Sequence, residues 1–268
     1  MGNIFKYEFK MYVKSIIIWS IGIILLLVVF MAFYPTFSSD VSKLDKMIEN
    51  YPPELLKAFG MGGTLSLSTV LGFFAFIFTF LQLCLAVQAA NYGFSILSIE
   101  EREFTADYLM SKPVSRPQIV FAKFSASFLA LTITNIVSWA GTFLAIDLFR
   151  DGKPYDVDHL ILLLSTIVLF QLFFFTVGMV ISVLVRRIRS VLSFSLGLSF
   201  GTYILNAVRA IVGGETLGYF SPFYYFDPAV ILDKGTLNVP MVSISVLVGI
   251  LSIIATFVLY TRRDINSL

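Results

Sequence analysis

The sequence predicts an all-α integral membrane protein with six transmembrane helices, preceded by an N-terminal interfacial helix and interrupted by a short cytoplasmic helix. Of its 268 residues, 57% are hydrophobic and only 13% are charged, about half the charged fraction of a typical soluble domain. The apolar residues also form six long stretches, each near the roughly 20 residues that cross a bilayer. Lipid is therefore the expected solvent for most of the protein surface.

The six apolar stretches are the predicted spans. A helix rises about 1.5 Å per residue, so about 20 residues cover the hydrocarbon core of roughly 30 Å. The second stretch is the longest, and we expect it to tilt or to project beyond the bilayer. The spans cover about 15–34, 67–97, 124–146, 160–185, 190–212 and 241–260. Residues 1–268 are accordingly predicted to form a single transmembrane domain.

An amphipathic segment precedes the first span. Lys6, Lys10 and Lys14 recur every four residues, which is a helical periodicity. Three aromatic residues form a neighbouring stripe: Phe5, Phe9 and Tyr12. The pattern predicts a helix lying on the cytoplasmic headgroups. A plain positively charged flank of the first span is the alternative.

Lysine and arginine are unequally divided between the two sides of the membrane. If the N-terminus is cytoplasmic, 12 of the 19 lie on the inner side and 7 on the outer side. Cytoplasmic connections of membrane proteins carry such an excess of positive charge. The short Arg-Arg-Ile-Arg connection at 186–189 is the strongest single element of this pattern. Both termini are therefore predicted to be cytoplasmic.

The connection between the second and third spans combines acidic and apolar residues at helical spacing, over about residues 99–111. Pro113 ends the pattern because it lacks a backbone N–H and disfavours helix in the residue before it. Ser115 is then a suitable N-cap for the next helix, with Pro117 in its first turn. The residues alone leave two interpretations open, a solvated loop and a docking helix for a partner protein.

This connection resembles the coupling-helix region of permease subunits from small bacterial ABC exporters with the type V fold. Their pattern is roughly E-x-E-x-x-x-G-T-x-E-x-L-L-x-x-P-V-S-R. The matching residues here are Glu100, Glu101, Arg102, Thr105, Asp107, Leu109, Met110, Pro113, Val114, Ser115 and Arg116. Phe104 departs from the pattern, which has Gly at that position. The segment Tyr260-Thr-Arg-Arg-Asp264 also resembles the family's C-terminal ending.

The resemblance implies that two permease copies work with two separate cytoplasmic ABC ATPase subunits. The helix after the second span would dock in a cleft of the ATPase, so that closure of the ATPase pair on ATP moves the spans. The residues assigned to this contact are Glu100, Glu101, Arg102, Glu103, Phe104, Asp107, Tyr108 and Arg116. No Walker motif G-x-x-x-x-G-K-[ST] occurs in the chain. The chain is thus expected to be no enzyme and to hold no cofactor, since its partner would bind ATP and Mg.

A row of small residues in the fifth span, Ser193, Gly197 and Gly201, is spaced four residues apart. Such rows let helix backbones approach closely in lipid. The resemblance favours a position near the seam between two permease copies, and packing within one chain is the alternative.

The outer connection 213–240 is rich in aromatic residues. There the resemblance implies short re-entrant helices, and an ordinary interfacial loop is the alternative.

Polar side chains deep in the spans are costly unless they face protein or water. Four amides form a possible translocation path: Gln82, Asn135, Gln171 and Asn206. Hydrogen bonding between helices is the alternative role for each of them.

The predicted spans hold no central carboxylate, lysine or histidine, which disfavours a proton-coupled transporter. One cysteine and one histidine, Cys84 and His159, predict no metal site.

We therefore expect the transmembrane subunit of an ATP-driven exporter in the bacterial plasma membrane. Its cargo would be hydrophobic or amphipathic, such as a peptide, an antibiotic or a lipid-like molecule, because the spans offer mainly Phe, Leu and a few amides. Two alternatives remain: a membrane sensor or scaffold that transports nothing, and an ABC permease that extrudes ions. The lack of charged ligands in the spans disfavours the second of these.

Overall fold

A computed structural model describes residues 2–39, 56, 66–102, 115–185, 188–214 and 216–262, with the backbone alone at 98–102, 116 and 261–262. Within these ranges the chain is helical and contains no strand. Six of the helices are long and apolar enough to cross a membrane. The prediction of an all-α membrane protein with six spans is confirmed.

The six long helices extend beyond the apolar stretches that predicted them. They are α1 (Gly2–Met31), α3 (Val70–Arg102), α4 (Arg116–Phe149), α5 (Val157–Leu184), α6 (Val191–Val212) and α9 (Val239–Arg262). Short helices lie in the connections between them. These are α2 (Tyr34–Ser39), a 3₁₀ helix (Thr216–Phe220), α7 (Pro222–Tyr225) and α8 (Pro228–Lys234).

The N-terminal segment differs from its prediction, because it is not a separate interfacial helix. α1 runs without a break from Gly2 through the first span. Its first turns pack on the protein: Phe9 and Tyr12 contact the core, and Glu8 is buried against Lys123 of α4. The lysine stripe is exposed on the other side. The face that was expected to lie on the headgroups is therefore held by α4, which keeps these turns in line with the span.

The helix starts follow local capping chemistry. Ser115 is the N-cap of α4, as predicted, and its backbone N–H donates to the Gln118 side chain at 3.3 Å. The Asp156 carboxylate caps α5 by accepting from two backbone N–H groups. Gly235 ends α8 in the left-handed conformation, with φ of 60°, which a residue without Cβ adopts at little cost.

α3 and α5 form the centre of the molecule. In the most apolar window of α3, 78% of the residues are buried, compared with 17% for α6. α3 packs against α5 and α6, α5 also packs against α9, and α1 packs mainly along α4. The peripheral helices therefore take their positions from the α3–α5 pair or, in the case of α1, from α4.

The backbones of α3 and α5 touch where small residues face each other. A Cβ atom added to Gly93 would lie 2.1 Å from the carbonyl oxygen of Phe175, far inside van der Waals contact. A Cβ atom added to Gly178 would lie 3.1 Å from the carbonyl oxygen of Ala90. Close approach of this kind lets dispersion forces hold helices together in lipid, where no hydrophobic effect drives their association.

We predict that Gly93→Ala destabilises the protein, because the obstructing atom is backbone and the two helices would have to separate. Overpacking of a tight core costs about 1–3 kcal/mol, and we expect a loss near the upper end of that range. The measurement is the unfolding temperature of the purified protein in detergent. Gly22→Ala is the matched control, since no atom lies within 4 Å of a Cβ there. Equal unfolding temperatures for the two variants would contradict the close contact.

Candidate functional site

Most of the predicted ATPase contact lies outside the described residues. Glu100, Glu101 and Arg102 form the last turn of α3, where only the backbone is described, and Arg116 opens α4. The remaining residues of the contact fall within 103–114, which the structure does not describe: Glu103, Phe104, Asp107 and Tyr108. The connection itself therefore stays a prediction, and the structure defines the helices on either side of it.

α3 and α4 are long enough to carry this connection away from the membrane. They have 33 and 34 residues, about 50 Å each at 1.5 Å per residue. The hydrocarbon core is only about 30 Å thick. The N-terminal half of α3 is apolar from its first residue, and the charged residues of the helix are confined to its last turn. The excess length therefore projects on the side of the 103–114 connection.

A buried ion pair lies close to the start of α4. The Lys123 Nζ atom is 2.8 Å from the Glu8 Oε1 atom, and the two side chains are 1% and 10% exposed. Sequence reasoning does not find this pairing, because the partners lie on different helices, far apart in the sequence. The available signal was a lone acid among the N-terminal lysines.

Hydrogen bonds continue from this ion pair toward the middle of the spans. The Ser127 hydroxyl donates to the Tyr12 hydroxyl at 2.9 Å, which joins α4 to α1. The Tyr92 hydroxyl of α3 donates to the Ser15 hydroxyl of α1 at 3.0 Å. The rings of Tyr12 and Tyr92 are 4.6 Å apart. Two tyrosines thus connect α1 to both of its neighbours.

Gln88 is the centre of a buried amide cluster that joins α3, α4 and α5. Its side-chain N–H donates to the Thr134 hydroxyl at 3.0 Å, and its oxygen accepts from the Gln171 side chain at 3.3 Å. All three residues are at most 1% exposed. Gln171, a candidate for the translocation path, is therefore hydrogen-bonded between helices.

Gln82 holds the outer connection in place. Its side-chain N–H donates to the Phe226 carbonyl at 2.7 Å. Gln82 lies 12 residues into α3, about 18 Å along the helix axis. The rings of Phe223 and Phe226 pack against Phe170 of α5 at 5.2 and 6.0 Å. The helices between α6 and α9 therefore turn back deep between the spans.

A third amide of the predicted path, Asn206, lies in the last two turns of α6. Its side-chain oxygen accepts from Arg209 at 3.1 Å, and the Arg209 guanidinium lies 4.1 Å from the centre of the Tyr224 ring. Asp227 caps α8 by accepting from two backbone N–H groups. Burial raises the pKa of the Asp227 carboxyl, while those hydrogen bonds and the positive charge of Arg209 oppose the rise.

The four candidate path amides are not joined to one another. Gln82 bonds the outer connection, Gln171 bonds Gln88, and Asn206 bonds Arg209. Asn135 is 7% exposed, and its side-chain oxygen has no hydrogen-bond partner among the described residues. Three of the four amides thus make a structural hydrogen bond, although the Gln171 side-chain oxygen, like that of Asn135, has no partner among the described residues.

The row of small residues on α6 faces outward. Ser193, Gly197 and Gly201 are exposed, and a Cβ atom added to either glycine would meet no atom within 4 Å. The opposite face of α6 is buried through Ser195 and Ser199. Within the described part of the chain, the row is therefore an open surface on which another helix backbone could pack closely.

One comparison with known proteins gives a match. A family model described as "ABC-2 family transporter protein" matches residues 2–265, which is nearly the whole chain. No curated protein and no solved structure matches.

We predict that Gln82→Leu loosens the outer connection, because the buried Phe226 carbonyl would lose its donor. A buried polar group without a partner costs about 1–3 kcal/mol. The expected result is faster amide hydrogen exchange across 222–234, measured by mass spectrometry. Gln171→Leu is the matched control, since it removes an equally buried amide that bonds elsewhere. Equal exchange of 222–234 in both variants would refute this role of Gln82.

Proposed function

The chain belongs to the ABC-2 family of transporter proteins, and we propose that it is the transmembrane subunit of an ATP-driven exporter. Membership of this family implies that the chain is a membrane component of an ABC transporter and that an ABC ATPase subunit is its partner. Two separate cytoplasmic ATPase subunits would supply the energy, and this chain would form the path across the bilayer. It would reside in the bacterial plasma membrane with both termini in the cytoplasm.

The movement of the ATPase subunits would act on the permease at the connection between α3 and α4. This proposal is supported by the projection of both helices beyond the hydrocarbon core and by the acidic pattern of 99–111. Its carboxylates, with Glu101 and Glu103 among them, would meet basic residues of the ATPase. Since α3 lies at the centre of the molecule, a displacement of its projecting end would be transmitted to α5 and α6, which pack against it.

The cargo would be hydrophobic or amphipathic and would move outward. Within the described ranges, the buried charged residues are Glu8 and Lys123, which form an ion pair with each other. An ion-extruding permease would need charged or carbonyl ligands along its path. The surfaces that these spans offer are aromatic and aliphatic, and Asn135 contributes a free acceptor. Such a lining suits a largely apolar molecule with a few hydrogen-bonding groups.

Two copies of the chain would form the permease, with α6 at the seam. The outward position of Ser193, Gly197 and Gly201 supports this arrangement, because no segment of the described chain uses the row for packing. Close backbone contact across such rows is a common way for membrane helices to associate. The seam would then lie on the side of α6 opposite to α3.

We predict that the double variant Glu101→Lys/Glu103→Lys loses the ATPase partner. Reversing two charges would place like charges against the basic surface of the ATPase, at a cost of several kcal/mol. The test is co-purification of the tagged chain with its ABC ATPase subunit, followed by ATP hydrolysis in nanodiscs. We expect association to fall at least tenfold.

Asp233→Lys is the control, because Asp233 is exposed on the opposite side of the proposed membrane topology. It should leave association and ATP hydrolysis unchanged. Retained association and activity in the Glu101→Lys/Glu103→Lys variant would show that the coupling assignment is wrong.

We predict that Gly197→Leu weakens the pairing of two permease copies and leaves the fold of each copy intact. The new side chain has free space within the chain but would separate two helices packed at the seam. The measurement is the monomer–dimer ratio in detergent by native mass spectrometry, with the unfolding temperature as a check on folding. Gly22→Leu, at an equally open glycine on α1, should not change this ratio. An unchanged dimer fraction in Gly197→Leu would place the seam elsewhere.

A further inference from the structure

We propose that the ion pair between Glu8 and Lys123 is the joint that makes α1 follow α4 during the transport cycle. The inference rests on the proposed function, since it requires that the ATPase subunits move the connection before α4. It assigns to both residues a positioning role, in which they keep two spans in register while the rest of the molecule rearranges.

The pair lies close to the connection on which the ATPase subunits would act. Lys123 is seven residues after Arg116, the first residue of α4, which is about 10 Å along the helix axis. Its Nζ atom is 2.8 Å from the Glu8 Oε1 atom. A displacement of the start of α4 would therefore reach this contact before any deeper part of the span.

Stability alone is a weak reason for an ion pair at this position. Removing two charges from water is expensive, and apolar residues of similar volume are often as stable or more stable. A pair of charges instead resists sliding, because moving one helix along the other breaks a close contact between two buried charged groups. Apolar surfaces can slide along each other with a smaller penalty. The ion pair thus supplies a fixed register that apolar packing would not supply.

The same register continues along the whole of α1. The Ser127–Tyr12 hydrogen bond joins residues 115 positions apart, and so does the hydrogen bond from Lys153 Nζ to the Ser38 carbonyl at 3.1 Å. Glu8 and Lys123 are separated by the same number, since 123 − 8 = 115. Polar contacts therefore fix α1 and α2 to α4 and the connection after it, near the inner end and again at the outer end.

α1 has weaker connections to the centre of the molecule. It packs mainly along α4, and its contacts with α3 include the Tyr92–Ser15 hydrogen bond and the Phe30–Phe80 ring pair. Apolar side chains along much of α1 are exposed, among them Ile17, Ile21 and Leu25. α1 and α4 are therefore able to move as one unit against α3 and α5, with the ion pair closest to the source of the movement.

The test is a pair of distance measurements by electron spin resonance on the complex with its ATPase subunits, in nanodiscs, with one labelled copy per complex. Cys84→Ser removes the native thiol. Spin labels at Tyr7→Cys and Phe121→Cys report the α1–α4 distance, and labels at Phe121→Cys and Leu184→Cys report the α4–α5 distance. All three label positions are exposed. Each distance is recorded without nucleotide and after trapping with ATP and vanadate.

In the otherwise unsubstituted complex, we expect the α4–α5 distance to shift on trapping, while the α1–α4 distance stays fixed. The double variant Glu8→Leu/Lys123→Met replaces the charges with apolar bulk, so that the protein still folds and packs. In that variant we expect the α1–α4 distance to shift or broaden on trapping. The charge-swapped variant Glu8→Lys/Lys123→Glu should return it to a fixed value. Lys10→Gln, which removes an exposed charge from the same helix, is the control and should change neither distance.

Two results would overturn the inference in distinguishable ways. A fixed α1–α4 distance in Glu8→Leu/Lys123→Met, together with a shifting α4–α5 distance, would show that the ion pair is not the joint and would leave the proposed function standing. An α4–α5 distance that does not respond to ATP and vanadate in the unsubstituted complex would overturn the proposed function, and this inference with it.

Discussion

The backbone contact between α3 and α5 is the constraint on which the rest of the structure depends. In lipid, helices gain little from burying apolar surface, so their association needs close packing and hydrogen bonds. Gly93 brings the two backbones together, and the Gln88–Gln171 hydrogen bond lies little more than one turn away along the same pair. α6, α8 and α9 then dock on this pair.

Polar side chains hold the other helices and connections in place in two separate regions. At one end of the bundle, Glu8 and Lys123 attach α1 to α4, next to the connection that the family resemblance assigns to the ATPase. At the opposite end, Gln82 and Arg209 hold the segment that turns back between the spans. The proposed contact with the ATPase and the segment that Gln82 holds are therefore at opposite ends of one helix, α3.

The sequence predicts the spans well because a span is a local property, namely a run of apolar residues long enough for the bilayer. The start of α4 is predictable for the same reason, since Ser115 and Pro117 act within one turn. The Lys123–Glu8 pair was not predictable, because it depends on which helices become neighbours. The same holds for Gln82. A buried amide needs a hydrogen-bond partner, but only the fold shows that this partner is the backbone carbonyl of Phe226.

The hydrogen bond from Gln82 to the Phe226 carbonyl also sets an order of events during biosynthesis. The two residues are 144 positions apart, so at about 5–20 residues per second the ribosome reaches Phe226 about 7–30 s after Gln82. During that interval α3 already has its amide and has no acceptor from the outer segment. The segment that contains Phe226 can therefore close only after most of the bundle has been synthesised, and its closure is a late step in maturation.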